Sequence, residues 1–166
     1  MLHQQCAVSD GGRSKATIVT FSILSMVWRY EMVFETNRDK GRAGMAAAIA
    51  YFGMNGYTVS IPLNDTQWYD LIIEKDGLFK TVQCKATGSA NNVISLKSNG
   101  GTKGVAYDNV LNHAVDYLFC IDANMNMYVI PTSDIRDSGV NTQITLRTTK
   151  SVNGQGFQTH PYLVAL

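Results

Sequence analysis

A hairpin signal near the middle of the chain constrains the fold more than any other feature of the sequence. Two apolar stretches, one at residues 71–73 and one that begins at Leu78, flank the segment Lys75-Asp76-Gly77. Asp-Gly between two apolar stretches is a strong signal for a tight hairpin turn, because both residues tolerate positive φ angles. The sequence therefore predicts an antiparallel pair of strands over residues 71–74 and 78–85.

The predicted hairpin brings polar side chains together at its open end. Asp70 precedes the first strand, and Gln83-Cys84-Lys85 ends the second. Because side chains alternate across a sheet, Gln83 and Lys85 point to one face while Cys84 points to the other. We therefore expect a carboxylate, an amide and an ammonium group to share one small patch.

Such a patch suits the hydrolysis of a phosphodiester, which needs a cation to neutralise developing charge and a positioned water molecule. Asp70 and the Cys84 carbonyl are hard oxygen ligands for Mg²⁺, and Gln83 offers a neutral oxygen. Lys85 could orient the water or pair with a phosphate oxygen. The alternative is that Asp70 caps a turn and Lys85 is a solvated strand residue, the commoner fate of a single Asp or Lys.

Five blocks of sequence, in this order, carry a resemblance to a known family. They are KGRAG at residues 40–44, GYTVSIPL at 56–63, WYDL at 68–71, VQCK at 82–85, and VDYLF at 115–119 followed by MYVIP at 127–131. The layout resembles the PD-(D/E)xK nuclease superfamily. More narrowly, it is similar to the branch with glutamine in place of the second acid, which includes endonucleases associated with group I introns.

The resemblance implies an α/β fold, a mixed sheet flanked by helices, with a PD-(D/E)xK restriction-endonuclease-like core. The nuclease domain would span residues 37–166, and residues 1–36 would be an N-terminal extension whose order the sequence leaves open. The implied activity is that of a magnesium-dependent, site-specific endonuclease on double-stranded DNA, of the homing type. Mn²⁺ is the expected substitute for Mg²⁺.

The family also implies roles for the residues of the patch. Asp70, Gln83 and Lys85 would be the catalytic residues. Asp70, Gln83 and the backbone carbonyl of Cys84 would hold the metal. These assignments follow from the match of the WYDL and VQCK blocks to the family's motifs.

One position departs from the family's pattern. The first helix of the family usually carries a metal-binding glutamate just after the glycine aligned with Gly44, and this chain has Met45 there. Asp70 is then the only carboxylate placed in the site. Either Glu35 or Asp39 compensates, or a second chain or the DNA supplies oxygens, or the chain is a weakened or inactive nuclease that binds DNA without cutting it.

Charge is informative only locally. The net charge of +1 does not indicate a basic nucleic-acid-binding domain. Two clusters of basic and polar residues are nevertheless expected to contact DNA, one at the start of the first predicted helix and one around a Gly-rich loop at residues 98–104; a solvated charged face is the alternative for any one of them. The residues are Arg38, Lys40, Arg42, Lys97, Ser98 and Lys103.

Partners and compartment follow from size and cysteine content. One domain covers a limited footprint, whereas a homing enzyme recognises a long site, so a homodimer or homotetramer is expected. The three cysteines form no CxxC pair, which favours a reducing cytoplasm, here that of a bacterial or phage-infected cell. The apolar run at residues 16–28 is too short for a membrane span, so no membrane partner is expected.

Several other residues are expected to have structural roles. Neither His113 nor His160 lies in a recognisable metal or nucleophile motif, so neither is expected to act directly. Asp116 is expected to hold a loop near the site. Trp68 and Tyr69, beside the proposed metal ligand, are expected to pack on the core, with a substrate groove as the alternative.

Overall fold

The computed structural model describes residues 36–64, 66–98, 108–154 and 156–165. The elements in chain order are helix α1 (Asn37–Met54), strands β1 (Thr58–Ser60), β2 (Leu71–Lys75), β3 (Leu78–Ala86), β4 (Val93–Ser95), β5 (Lys97–Ser98), β6 (Asp108–Asn109), β7 (Tyr117–Ile121) and β8 (Met127–Pro131), helix α2 (Thr132–Asp137), and strands β9 (Gln143–Thr145) and β10 (Leu163–Val164). Short 3-10 turns lie at Val110–Asn112 and His160–Tyr162. This is the mixed sheet with flanking helices that the sequence predicts.

The main sheet has six strands in the order β1-β2-β3-β7-β8-β10. Strands β3 and β7 are parallel, and the other neighbouring pairs are antiparallel. Two small ladders, β4 with β9 and β5 with β6, lie outside it. A parallel pair requires a crossover connection, and residues 87–116 supply it between β3 and β7.

The predicted hairpin is present and forms the centre of the sheet. Asp76 and Gly77 have φ angles of 54° and 78°, as a two-residue type I′ turn requires. Strands β2 and β3 pair from Lys75 opposite Leu78 to Leu71 opposite Val82. Each strand is one residue longer than predicted. The turn signal therefore fixes the register of the two strands that carry the candidate site.

The sheet separates two hydrophobic cores, because successive side chains point to opposite faces. The helix-side core lies under α1, and its buried members are Ala48, Phe52, Leu71, Ile73, Val82, Cys84, Phe119, Ile121 and Met127. The crossover-side core lies on the other face, and its buried members are Ile94, Leu96, Val110, Leu111, Val115, Leu118, Cys120, Tyr128, Ile130, Ile135, Ile144 and Leu146. Cys84 thus belongs to the helix side, and the alternation predicted for Gln83 and Lys85 directs them to the other face.

Helix α1 begins three residues earlier than the blocks of sequence suggest. Thr36 is its N-cap and forms a capping box with Asp39: the Asp39 N–H donates to Thr36 Oγ1, and Asp39 Oδ2 accepts from both the backbone N–H and the hydroxyl of Thr36. Asp39 is therefore engaged at the helix start, which makes it a poor replacement for the missing glutamate. Glu35 and the rest of the expected N-terminal extension lie outside the described residues.

None of the helices in the described part of the chain is long and apolar enough to cross a membrane.

Candidate active site

The candidate site lies where β2 and β3 part. Strand β2 begins at Leu71, whereas β3 continues past its partner Val82 as far as Ala86. The Asp70 N–H donates to the Val82 carbonyl at 2.9 Å, and Asp70 Oδ2 accepts the Cys84 N–H at 2.7 Å. The Asp70 carboxylate therefore accepts the hydrogen bond of the Cys84 N–H, which has no β2 partner because β2 begins only at Leu71.

The Gln83 amide lies between two oxygens of the site. Its Nε2 donates to Asp70 Oδ2 and, at 3.3 Å, to the carbonyl of Cys84. The carboxylate and the carbonyl are therefore directed toward one electropositive group. These two oxygens are among the metal ligands that the family resemblance implies, and the third predicted ligand is Gln83 itself.

This donor set fits Mg²⁺, which proteins commonly bind through one or two carboxylates while substrate phosphates and water complete the shell. Asp70 provides one carboxylate, and the Cys84 carbonyl and the Gln83 side chain provide neutral groups. The part of the chain that the structure describes contains no cluster of three His, Cys, Asp or Glu residues that could hold a metal ion. Among the described residues, the carboxylate that lies at the junction of β2 and β3 is that of Asp70.

Burial gives Asp70 and Lys85 opposite pKa shifts. Burial raises the pKa of Asp70, although the hydrogen bond from the Cys84 N–H, the charge of Lys85 and the amide of Gln83 act in the other direction. Burial lowers the pKa of Lys85, against the charge of Asp70. Each group thus has its charged form disfavoured by lost hydration and partly restored by the other. Lys85 Nζ also donates to the carbonyl of Lys97 at 3.4 Å.

Helix α1 approaches β3 closely beside this site. A Cβ placed on Gly44 would lie 3.4 Å from the Cβ of Ala86 and 3.5 Å from the carbonyl carbon of Lys85. The next residue, Met45, is half-buried and packs against the helix-side core. The position at which the family usually carries a glutamate therefore makes an apolar contact in this chain.

The proposed DNA-contacting residues lie at two places. Arg38 and Arg42 are exposed and Lys40 is half-buried in the first two turns of α1, where positive charge opposes the helix dipole and so does not stabilise the helix. Lys97 is exposed at the start of the β5–β6 ladder. Lys103 and the side chain of Ser98 lie outside what the structure describes.

Asp116 makes structural contacts, but its carboxylate holds strand β3 rather than the predicted loop. Its Oδ2 accepts the backbone N–H of Thr81 at 2.8 Å and the Thr81 hydroxyl at 3.0 Å, and its Oδ1 forms an ion pair with Lys80 at 3.0 Å. Burial acts to raise its pKa, but the hydrogen bonds from Thr81 and Lys80 outweigh burial, so the pKa is lowered. Asp116 therefore ties β3 to the start of β7.

Trp68 and Tyr69 pack against the crossover-side core, as expected. No sequence pattern predicts the partner of Trp68. Its ring stacks on that of His113, with centroids 3.5 Å apart and planes inclined by 6°. Since the two residues lie 45 positions apart and neither belongs to a motif that pairs them, only the tertiary fold reveals the contact.

Comparison with known proteins identifies the family of the chain and agrees with its fold. Residues 35–160 match the family described as PD-(D/E)XK endonuclease. The fold is similar to that of a bacterial homing endonuclease, I-Ssp6803I, with a TM-score of 0.60 and 20% sequence identity over 77% of this chain and 88% of that one. No curated protein matches the sequence. The α/β fold with a restriction-endonuclease-like core is thereby confirmed.

Proposed function

Because the chain belongs to the PD-(D/E)XK endonuclease family, we propose that it is a magnesium-dependent homing endonuclease, which hydrolyses phosphodiester bonds at a specific site in double-stranded DNA. The observation that carries the proposal is the convergence of Asp70 Oδ2 and the Cys84 carbonyl on the Gln83 amide, with Lys85 two residues further along β3. The likeness in fold to a bacterial homing endonuclease supports the homing assignment.

Asp70 and the Cys84 carbonyl would hold the cation, which Mn²⁺ can replace. When bound, the cation supplies charge neutralisation and Lewis-acid polarisation at the scissile phosphate. In the arrangement described here, Gln83 Nε2 partly neutralises the same two oxygens. Rotation of the Gln83 amide would present its Oε1 in place of Nε2. Gln83 thus serves the site with and without metal.

Lys85 would position the attacking water or the scissile phosphate. Its lowered pKa means that it holds its proton less tightly than an exposed lysine does. It can therefore exchange a proton with a nearby water molecule more readily than Lys80, which lies on the same strand and is ion-paired with Asp116. This property suits a residue that assists the nucleophile.

The remaining parts of the proposal concern DNA and assembly. Arg38, Lys40, Arg42 and Lys97 would contact backbone phosphates, and the segment at residues 98–104, with Ser98 and Lys103, would approach the bases. A homodimer or homotetramer would extend the footprint to a long site. The protein would act in the cytoplasm of a bacterial or phage-infected cell.

The test is cleavage of a supercoiled plasmid library with random inserts, in Mg²⁺ and in EDTA, with the ends identified by sequencing. We expect cutting in Mg²⁺ that falls by roughly 10²-fold or more in Asp70→Ala and Lys85→Ala, the size of loss usual for one group that stabilises the transition state. Lys150→Ala, at an exposed lysine outside the site, is the matched control. Cutting that survives both site substitutions would contradict the assignment.

A second candidate function is DNA binding without cleavage. The observation that favours it is the apolar packing of Met45, which leaves Asp70 as the one carboxylate that the described residues place at the junction of β2 and β3. Binding without cutting by the wild type, together with a gain of metal-dependent cutting in Met45→Glu, would establish this second function. Efficient cutting by the wild type would exclude it.

A further inference from the structure

The stacked rings of Trp68 and His113 lie beside the proposed metal ligand. Trp68 precedes Asp70 by two residues, and His113 ends the 3-10 turn of the crossover. Their centroid distance of 3.5 Å is far shorter than the 5.2–6.0 Å of the other ring pairs in the described residues. A nearly parallel stack at this distance gives the two rings close contact over much of their faces.

Among the described residues, few other contacts hold the segment before Asp70. At residues 61–64 and 66–69, within the described chain, no backbone-to-backbone hydrogen bond forms outside the regular elements. The side-chain bond there, from Gln67 to Asn64, is local to the segment. Ile61 and Leu63 are exposed. The backbone is first fixed at Asp70, whose N–H donates to Val82. The packing of Trp68 and Tyr69 therefore carries the anchoring of this segment.

His113, in contrast, is on a well-anchored support. Its N–H donates to the Val110 carbonyl at 3.2 Å, and its carbonyl accepts the Val115 N–H at 2.8 Å. Val110 and Val115 are buried in the crossover-side core. The neighbouring carbonyl of Leu111 accepts a hydrogen bond from the guanidinium group of Arg136 at 3.0 Å. The backbone of His113 is thus well anchored, and its ring offers Trp68, in the less well bonded segment before Asp70, a surface to pack against.

We propose that Trp68 and His113 are positioning residues for the active site: their stack fixes the backbone on the N-terminal side of Asp70, while pairing of Leu71 with Val82 fixes the other side. The inference rests on the proposed function for its catalytic consequence but not for its structural one. Catalytic groups must be held to within a fraction of an ångström, and a displacement of about 1 Å can cost up to roughly 10²-fold in rate.

The structural consequence can be measured without metal or DNA. The Cys84 N–H donates to Asp70 Oδ2, so the Cys84 amide proton reports the position of the carboxylate. We expect the Cys84 amide resonance in a ¹⁵N–¹H spectrum to move upfield in His113→Ala and in Trp68→Ala. His113→Phe, which keeps a flat ring, should leave it near the wild-type position. Movement in neither alanine variant, or equal movement in His113→Phe, would overturn the proposal.

The catalytic consequence needs the same variants in the cleavage assay. We expect His113→Ala to lower kcat by about tenfold and to raise the Mg²⁺ concentration at half-maximal rate, with KM for DNA unchanged, and His113→Phe to restore most of the rate. His160→Ala, on the turn beside the far edge strand β10, is the matched control. A melting curve of each variant identifies simple unfolding.

The two measurements separate two kinds of failure. If the wild type cuts no DNA, the proposed function fails while the Cys84 resonance still decides whether the stack positions Asp70. If the wild type cuts and His113→Ala cuts equally well with the same Mg²⁺ dependence, the positioning role is wrong.

Discussion

Two places on strand β3, three residues apart, use the same bond for different purposes. In the middle of the strand, Asp116 Oδ2 accepts the backbone N–H of Thr81; toward the open end of the hairpin, Asp70 Oδ2 accepts the backbone N–H of Cys84. The two distances, 2.8 and 2.7 Å, are nearly equal. Hydrogen-bond geometry alone therefore does not distinguish a structural aspartate from a candidate metal ligand.

The difference lies in what surrounds each carboxylate. The ion pair with Lys80 and the bonds from Thr81 outweigh burial at Asp116 and lower its pKa, and the same ion pair raises the pKa of Lys80. At the open end, burial dominates, so the pKa of Asp70 is raised and that of Lys85 is lowered. Water and the ion pair stabilise the charged forms of Asp116 and Lys80. The exclusion of water destabilises the charged forms of Asp70 and Lys85. A cation, a phosphate or a proton that binds beside Asp70 and Lys85 would therefore change their charge states more readily.

The largest effect is expected when each aspartate, Asp70 and Asp116, is replaced by asparagine. Asparagine keeps an oxygen for the backbone N–H but removes the charge. We expect Asp70→Asn to lower the initial rate of DNA cleavage at saturating Mg²⁺ by at least roughly 10²-fold. Asp116→Asn should stay within about threefold of the wild type, as surface substitutions away from a site usually do. Similar losses of cleavage rate in both variants would mean that Asp70 and Asp116 are not functionally distinct.

The next largest effect is expected when each lysine, Lys85 and Lys80, is replaced by arginine. Arginine stays protonated and is larger, so it preserves the ion pair of Lys80 but not the readily lost proton of Lys85. We expect Lys85→Arg to lower kcat by about tenfold or more, as the loss of a proton-transfer group does, and Lys80→Arg to leave kcat unchanged. The measurement is a pH–rate profile for each variant. Full activity in Lys85→Arg would show that a fixed positive charge suffices at residue 85.

A third test changes the open end alone, through Gln83→Glu. Replacing the amide removes the donor shared by Asp70 and the Cys84 carbonyl and places a second carboxylate beside the first. We expect the metal-free protein to lose about 1–3 kcal/mol of stability, the usual cost of an unpaired buried polar group, and to gain more stability from Mg²⁺ than the wild type gains. Thermal unfolding with and without Mg²⁺ measures both effects. An unchanged response to Mg²⁺ would remove Gln83 from the metal site.

The smallest test compares stability with pH. Asp116 has a lowered folded-state pKa, so its contribution is present above the unfolded pKa of an aspartate, about 3.9, and is lost as the pH falls through the folded pKa. Asp70 has a raised folded-state pKa, so its contribution is present in acid and is lost as the pH rises. Asp116→Asn should therefore destabilise the protein at pH 7 and not in acid, by well under about 1 kcal/mol because water screens the exposed pair.

Asp70→Asn should show the opposite trend in urea unfolding without metal: relative to the wild type, it gains stability at pH 7, and the gain fades in acid. Parallel trends for the two variants would contradict the assigned directions of the pKa shifts.

The sequence predicts those parts of the fold that depend on local signals. The Asp76-Gly77 turn sets the hairpin and its register, and alternation then places Gln83 and Lys85 on one face. The capping box of Thr36 and Asp39 is also a local signal, although the first family block begins only at Lys40, three residues after the helix does. Strand β7 is a continuous apolar run, which is the local pattern of a buried strand.

What the sequence does not predict depends on contacts between distant segments. Residues 93–98 divide between β4, which pairs with β9, and β5, which pairs with β6, and no local signal separates the two strands. The stack of Trp68 on His113 also joins two distant segments, so the sequence does not predict it. The metal-free orientation of the Gln83 amide likewise follows from the positions of two oxygens, and no residue pattern encodes it.

The parallel pairing of β3 with β7 has a consequence for how the protein acquires its activity. Hairpin β2–β3 closes a two-residue loop, whereas the pairing of β7 with β3 closes the much longer connection at residues 87–116, which costs more chain entropy. During synthesis the proposed cation ligands would therefore meet before the strand that buries them is available. We expect pulsed hydrogen exchange during refolding to protect β2–β3 amides before those of β7, so that a half-made chain is not yet a nuclease.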